Sequence, residues 1–200
     1  DVHANPDTYE KHLSNILTAF IPNKDAILDI HSGNAEWSIF VFQDYDDNSY
    51  SDLANALWFD IIVHWWSSIY SWKKWWDVTS YAHKFNIPSV VIECWQHNDP
   101  NAVAVAESSI LRFMSHYGLI EYPEFIWDIN ISVHLMMQKL YYMESEGKFA
   151  KERKHWDFIS EWEIIAKYTH GWLIISEYDC YIILPKTFAR VGDEWFYIAK

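Results

Sequence analysis

Ala26-Ile-Leu-Asp-Ile-His-Ser-Gly-Asn-Ala-Glu-Trp-Ser-Ile-Phe-Val-Phe42 is the stretch on which the fold turns. It reads as a buried strand over 26–30, a tight polar turn around Gly33, and a short amphipathic helix over 35–43 with Trp37, Phe40 and Val41 on its apolar side. A strand, turn and helix in that order place backbone N–H groups at the helix start, a common seat for a phosphate or a nucleoside in α/β proteins.

Outward from this unit the pattern continues. Upstream, Asn5-Pro6-Asp7 reads as a cap with proline at the first helical position, and Tyr9, Leu13, Ile16, Leu17 and Phe20 recur at helical spacing. Downstream, Ser51-Asp52 caps a short helix reaching Leu57, and 59–63 and 89–94 are short apolar runs of the kind buried in a parallel sheet. Ile69, Trp72, Trp76, Tyr81 and Phe85 predict a helix that Pro88 must have stopped. Asn98-Asp99-Pro100 opens another, closed by Gly118. A fourth strand is expected over 125–131, helices over 132–143 and 149–169, and strands over 172–177, 180–185 and 195–199, with a turn at Val191-Gly192-Asp193. Alternating strands and helices predict a single α/β domain over 1–200. Its expected form is a three-layer Rossmann-like sheet, mostly parallel, with antiparallel strands at the C-terminal edge.

Composition narrows the function. The net charge is −13 with only three arginines, and the one basic cluster, residues 148–154, is interrupted by Glu152. Binding nucleic acid or an acidic membrane surface requires clustered Lys and Arg, so neither is expected as a partner. No run approaches the ~18 apolar residues of a membrane span. Cys94 and Cys180 lie in unrelated apolar runs and read as buried free thiols, which fits a reducing, cytoplasmic compartment. Thirteen tryptophans beside five glycines are unusual, since glycine normally supplies positive-φ turns, and they raise a designed, function-free α/β domain as one alternative. Oligomeric state is not set by the sequence.

Polar residues gather at the predicted strand ends: His31 to Asn34 after the first, His64 after the second, and Glu93 with Gln96, His97 and Asp99 around the third. Three histidines at successive strand ends suggest a metal, with Glu93 or Asp99 as oxygen donor. Strand-end loops are polar by default, however, and no metal is assigned. No Gly-x-Ser-x-Gly elbow and no phosphate-binding loop is present.

The segment from Leu13 to Phe42 resembles the start of a class I S-adenosylmethionine-dependent methyltransferase, in which a helix leads to a strand and a glycine-rich turn. Phe59-Asp-Ile-Ile-Val63 is similar to that family's fourth strand, 88–94 to its fifth, and 180–185 with 194–200 to its closing antiparallel pair. The resemblance implies S-adenosylmethionine as cofactor, held by Asp29, His31, Ser32, Gly33, Asn34 and Ala35, with Asp44, Asp46 or Asp47 on the ribose hydroxyls. It implies methyl transfer to a small molecule or a protein, with His64 or His97 as general base. His31 and Ala35 stand where the family has its first and third glycines. A second resemblance is to (β/α)-barrel glycosidases. It rests on Asp60-Ile-Ile-Val-His-Trp-Trp-Ser-Ser68 and on Asn86 to Trp95, and it implies Glu93 and Asp128 as a carboxylate pair.

Overall fold

A computed structural model describes residues 8–33, 38–45, 48–66, 69, 77–121 and 132–200. Thr8 caps α1 (Tyr9–Phe20) by accepting from the Lys11 N–H at 3.3 Å. The chain then enters β1 (Ile27–Gly33), β2 (Phe40–Gln43), α2 (Asn48–Ala56) and β3 (Ile61–His64). Asp77 caps the short α3 (Val78–His83), β4 (Ser89–Gln96) follows, and Asp99 caps α4 (Pro100–His116) with Pro100 at its first position. From β5 (Val133–Tyr142) onward every element is a strand. These are β6 (Gly147–Phe149), β7 (Phe158–Ile159), β8 (Ile164–Tyr168), β9 (Leu173–Ile175), β10 (Cys180–Ile183) and β11 (Glu194–Ala199).

Eight strands form one sheet in the order β1-β4-β2-β3-β5-β11-β10-β7, and β6-β8-β9 form a second. The fold is α/β, as expected, but the sheet is mixed. β1 runs parallel to β4, while β2, β3 and β5 run parallel to one another and antiparallel to β4. Strands β11, β10 and β7 then alternate. The carboxyl ends of β1 and β4 therefore lie on one rim and those of β2, β3 and β5 on the other.

Three expected helices are strands. The run over 35–43 contains β2, whose four residues are all buried, because Phe40, Val41 and Phe42 carry apolar side chains to both faces. The run over 132–143 is β5 and that over 149–169 holds β7 and β8. Leu135 and Met137 are buried on alternate positions of β5, a period of two that a helical reading overlooks. The strand expected over 125–131 lies outside the described residues.

The core has two main parts. Phe40, Phe42, Val63, Leu135 and Tyr197 pack on one side of the mixed sheet, and Val41, Leu53, Leu57, Ile62 and Ile92 pack under α2 and α4 on the other. A separate cluster around Trp195, Phe196, Ile165 and Ile182 joins the second sheet to the first.

The scarcity of glycine has a backbone counterpart. Trp58, Trp65, Trp95, Trp156 and Trp162 all adopt positive φ, the region where a Cβ costs roughly 1–2 kcal/mol. At Trp162 (φ 66°) the side chain is 73% exposed, so the ring contributes little burial to offset that cost. Trp162→Gly is expected to raise stability by about 1 kcal/mol in a urea titration. A lower midpoint would show that the ring packs in solution.

Candidate functional site

Asp29 and His31 stand two residues apart on β1 and so share one face of the strand. The parallel register sets His31 directly beside Glu93 on β4. The result is a chain of three groups: His31 Nε2 lies 3.3 Å from Asp29 Oδ2, and His31 Nδ1 lies 3.6 Å from Glu93 Oε1. Glu93 is buried at 5% exposure, and its second oxygen, Oε2, has no hydrogen-bond partner among the described residues. An unpaired, buried carboxylate oxygen is costly, and a costly arrangement is a mark of function.

Hydrogen bonding to Asp29, then to Glu93, holds the His31 ring protonated and raises its pKa to about 10, against an opposing effect of burial. The site therefore carries a fixed cation within a strongly acidic chain. Next to it, burial and the Glu93 charge push the Cys94 thiol up to about 12, so it stays neutral and takes no nucleophilic role at ordinary pH.

Beyond Glu93 the register slips. His31 pairs with Glu93 but Gly33 pairs with Gln96, so β4 carries a bulge, with Trp95 at φ 105°. The bulge carries His97 back over β1. Its N–H donates to the Gly33 carbonyl at 2.8 Å, and its Nδ1 lies 2.7 Å from Ser32 Oγ. Ser32, Gly33 and His97 thus share the rim that holds Asp29, His31 and Glu93.

His64 does not join them. β3 runs against β4, so its carboxyl end reaches the opposite rim, where His64 Nε2 lies 2.8 Å from His134 Nδ1. Asn34, Ala35, Asp46 and Asp128 lie outside the described residues. Of the three histidines at strand ends, two end on one rim and the third is separated by strand direction, which the sequence alone does not reveal. Glu93 as the register partner of His31 was the missed relation. Its only signal was one acidic residue inside each of two otherwise apolar strands.

The described donors do not complete a metal centre. Both ring nitrogens of His31 face carboxylates. Among the described residues, no group of three His, Cys, Asp or Glu side chains is placed to hold one.

Two histidines set a pH profile for stability. His31 is protonated up to about pH 10 when folded but only to about 6.5 when unfolded. Its contribution is complete below pH 6.5 and is lost as the pH rises toward 10. With its side chain half exposed, solvent screening limits that contribution to no more than about 1 kcal/mol. His155 accepts from the Leu184 N–H at 3.0 Å, and burial lowers its pKa to about 3. The unfolded chain takes up that proton first, so stability falls as the pH drops from 6.5 toward 3, by up to ~1.4 kcal/mol per pH unit. Proton NMR should show one imidazole still charged at about pH 9 and one still neutral at about pH 4. If all ten histidines titrate near their ordinary value, both assignments fail.

No protein-family profile and no curated protein sequence matches the chain. Solved structures do. The chain is similar to a succinylglutamate desuccinylase/aspartoacylase from Rhodobacter sphaeroides, with TM-score 0.73 and 16% identity, over 98% of this chain and 65% of that one. It is also similar to the ectoine utilization protein EutE (DoeB) from Ruegeria pomeroyi, with TM-score 0.70 and 14% identity, over 98% and 64%. A third likeness is to succinylglutamate desuccinylase from Vibrio parahaemolyticus, with TM-score 0.66 and 11% identity, over 100% and 62%. At such identities these likenesses establish the fold. The chain spans less than two thirds of the length of these proteins.

The comparisons overturn the methyltransferase reading, and the geometry explains why. Among the described residues the element that follows β1 is a strand, β2, and not a helix. Among the described residues β1 also lies at the sheet edge, not at a central switch point. S-adenosylmethionine is accordingly withdrawn as cofactor, and with it the roles that the resemblance gave to Asp29, His31, Ser32, Gly33, Asn34, Ala35 and Asp46, and to His64 and His97. The glycosidase barrel falls too, since the eight strands form an open sheet with two ends. The designed, function-free reading gains no support, because a series of solved proteins shares the fold. Among the described residues no helix is long and apolar enough to cross a membrane.

Proposed function

We propose that the chain acts as a hydrolase that cleaves the amide bond of a small N-acylated amino acid. The observation that carries this reading is the buried Glu93 carboxylate with one unpaired oxygen, set beside the His31 cation. The names of the solved neighbours, desuccinylase and aspartoacylase, support the substrate class.

Glu93 Oε2 takes a proton from water as its oxygen attacks the amide carbonyl. The His31 imidazolium beside it stabilises the developing oxyanion through its charge. Its ring nitrogens stay on Asp29 and Glu93, at 3.3 and 3.6 Å, which keeps that charge in place. Protonated Glu93 then gives its proton to the departing amine, so the step balances without another acid. Asp29 holds the ring in place and charged. The reading takes residues 1–200 as one unit acting on a small molecule. The two buried free thiols support a reducing compartment such as the cytoplasm.

The test is release of free amino acid from N-succinylglutamate and N-acetylaspartate. Turnover above the protein-free rate is expected. No release from either at millimolar substrate would sink the reading. A rate that a chelator abolishes and zinc restores would replace His31 with a metal as the electrophile.

A further inference from the structure

The candidate site continues into an apolar cleft. Asp29, which lies 3.3 Å from His31 in the site, also lines a cavity of about 540 Å³ between α1 and α4. Leu17 and Phe20 wall it on one side, and Ile110, Phe113 and Met114 on the other. Its floor runs from Ala26 along β1 to Ile30. Apart from Lys24 and Asp29, the described residues around it are all apolar. Both charged groups are engaged: the Lys24 ammonium lies 3.7 Å over the Phe20 ring, and Asp29 holds His31. A cavity of this size falls in the range of small-molecule sites, ~300–1,000 Å³.

The sheet edge here is built against a further strand. Asp29 and His31 place charge on β1, and β4 bulges beside its end, between Glu93 and Gln96. Inward charges and bulges are the devices that keep an edge from pairing. The cleft fits a narrow apolar chain instead. Phe20, Ile30 and Ile110 are 58%, 38% and 42% exposed, and such a chain would take them out of water.

The register aims that chain at the site. Ile27 belongs with Leu17 and Val78 to the cluster under α1, and Leu28 belongs with Phe113 to the cluster under α4. By alternation Asp29 and His31 share the α1 side of the strand with Ile27. A carbonyl held between Glu93 and His31 therefore has one substituent that passes Asp29 and enters the cleft. We propose, resting on the hydrolase reading, that the cleft binds the acyl chain of an N-acyl amino acid, and that this chain is unbranched, apolar and about eight carbons long. From Ala26 to Asp29 the backbone covers ~10 Å, at ~3.3 Å per residue. A zigzag of roughly eight carbons, with C–C bonds of ~1.5 Å, covers the same length. Succinyl and acetyl groups are too short to fill it.

The experiment titrates N-octanoylglutamate and N-acetylglutamate against the 200-residue chain by calorimetry, and follows glutamate release from each separately. Each CH₂ moved out of water is worth roughly fourfold in affinity, and one side of the cleft stays open, so the octanoyl compound should bind about a hundredfold tighter or more. Ala26→Trp, at the far end of the floor, should shift the preference to a shorter chain. Ile110→Lys, at an exposed position, should weaken octanoyl binding about tenfold or more, with N-acetylglutamate binding and circular dichroism unchanged. Equal affinity for the two compounds overturns the proposal, and so does a chain-length preference that neither variant alters. The hydrolase reading is judged by release alone. Tight octanoyl binding without release sinks that reading and leaves the cleft as a chain-binding site. Release from N-acetylglutamate with no gain from the octanoyl chain does the reverse.

Discussion

Glu93→Gln is expected to lower kcat for N-acyl amino acid hydrolysis by roughly 10²- to 10⁴-fold, the range that general acid–base groups supply. The amide keeps the volume and planarity of the carboxylate, so β4 and its bulge stay in place. It cannot accept a proton at neutral pH, so neither the attack of water nor the protonation of the amine is assisted. The same change removes one of the two carboxylates that hold His31 charged. The His31 pKa should therefore fall in the variant, read by NMR, while the melting temperature changes little. Asp29→Asn is the complementary case. Asp29 is the largest influence on His31, so its loss should lower that pKa further but leave the Glu93 base intact. Activity should then survive at low pH, where the ring is still protonated, and fall as the pH rises. If Glu93→Gln retains activity within about threefold, Glu93 is not the base, and the unpaired oxygen needs another account.

These residues also show what sequence can carry. β1, β3, β4, α4 and the last two strands were legible because each combines an apolar run with an end signal, such as Asp99-Pro100 before α4. Residues 40–43 were misread because four consecutive buried positions have no period, and a short apolar run suits either element. The β5 to β8 region was misread for a different reason. Lys139, Glu144, Lys148 and Glu152 recur at near-helical spacing on what are exposed strand faces and loops. Strand direction was the larger loss. The sequence places His31, His64 and His97 after three apolar runs, and only the antiparallel step between β4 and β2 sends His64 to the far rim. The pairing of His31 with Glu93 is a register fact, set by some sixty intervening residues that form strands and helices elsewhere. Asp29-x-His31 was in plain view, but it was read as the remnant of a glycine turn and not as two groups on one strand face.

Trp195→Ala is expected to be the most damaging single substitution for stability, at about 3–5 kcal/mol. The side chain is 1% exposed. Its ring lies 5.3 Å from that of Phe149, 5.6 Å from that of Tyr168 and 5.6 Å from that of Phe196, so it joins β6 and β8 of the small sheet to β11 of the large one. Truncation removes the burial of an indole and leaves a cavity that three strands cannot close together without breaking their pairing. A domain with total stability of ~5–15 kcal/mol loses a large share of it. In urea the midpoint should fall with an unchanged slope, and the melting temperature should drop by roughly 6–20 °C. Gly147 tests the same joint from the other side. A Cβ there would stand 2.9 Å from the Lys167 carbonyl oxygen and 3.0 Å from the Trp195 ring. Gly147→Ala should therefore cost about 1–3 kcal/mol by overpacking. The double variant separates the two contacts. Removing the indole relieves the clash with the ring but not the clash with the carbonyl, which belongs to the β6–β8 pairing. The combined loss should fall short of the sum by about 1 kcal/mol. Full additivity would mean that the Lys167 carbonyl and the Tyr168 ring exclude a side chain at Gly147, and that the indole has room to give.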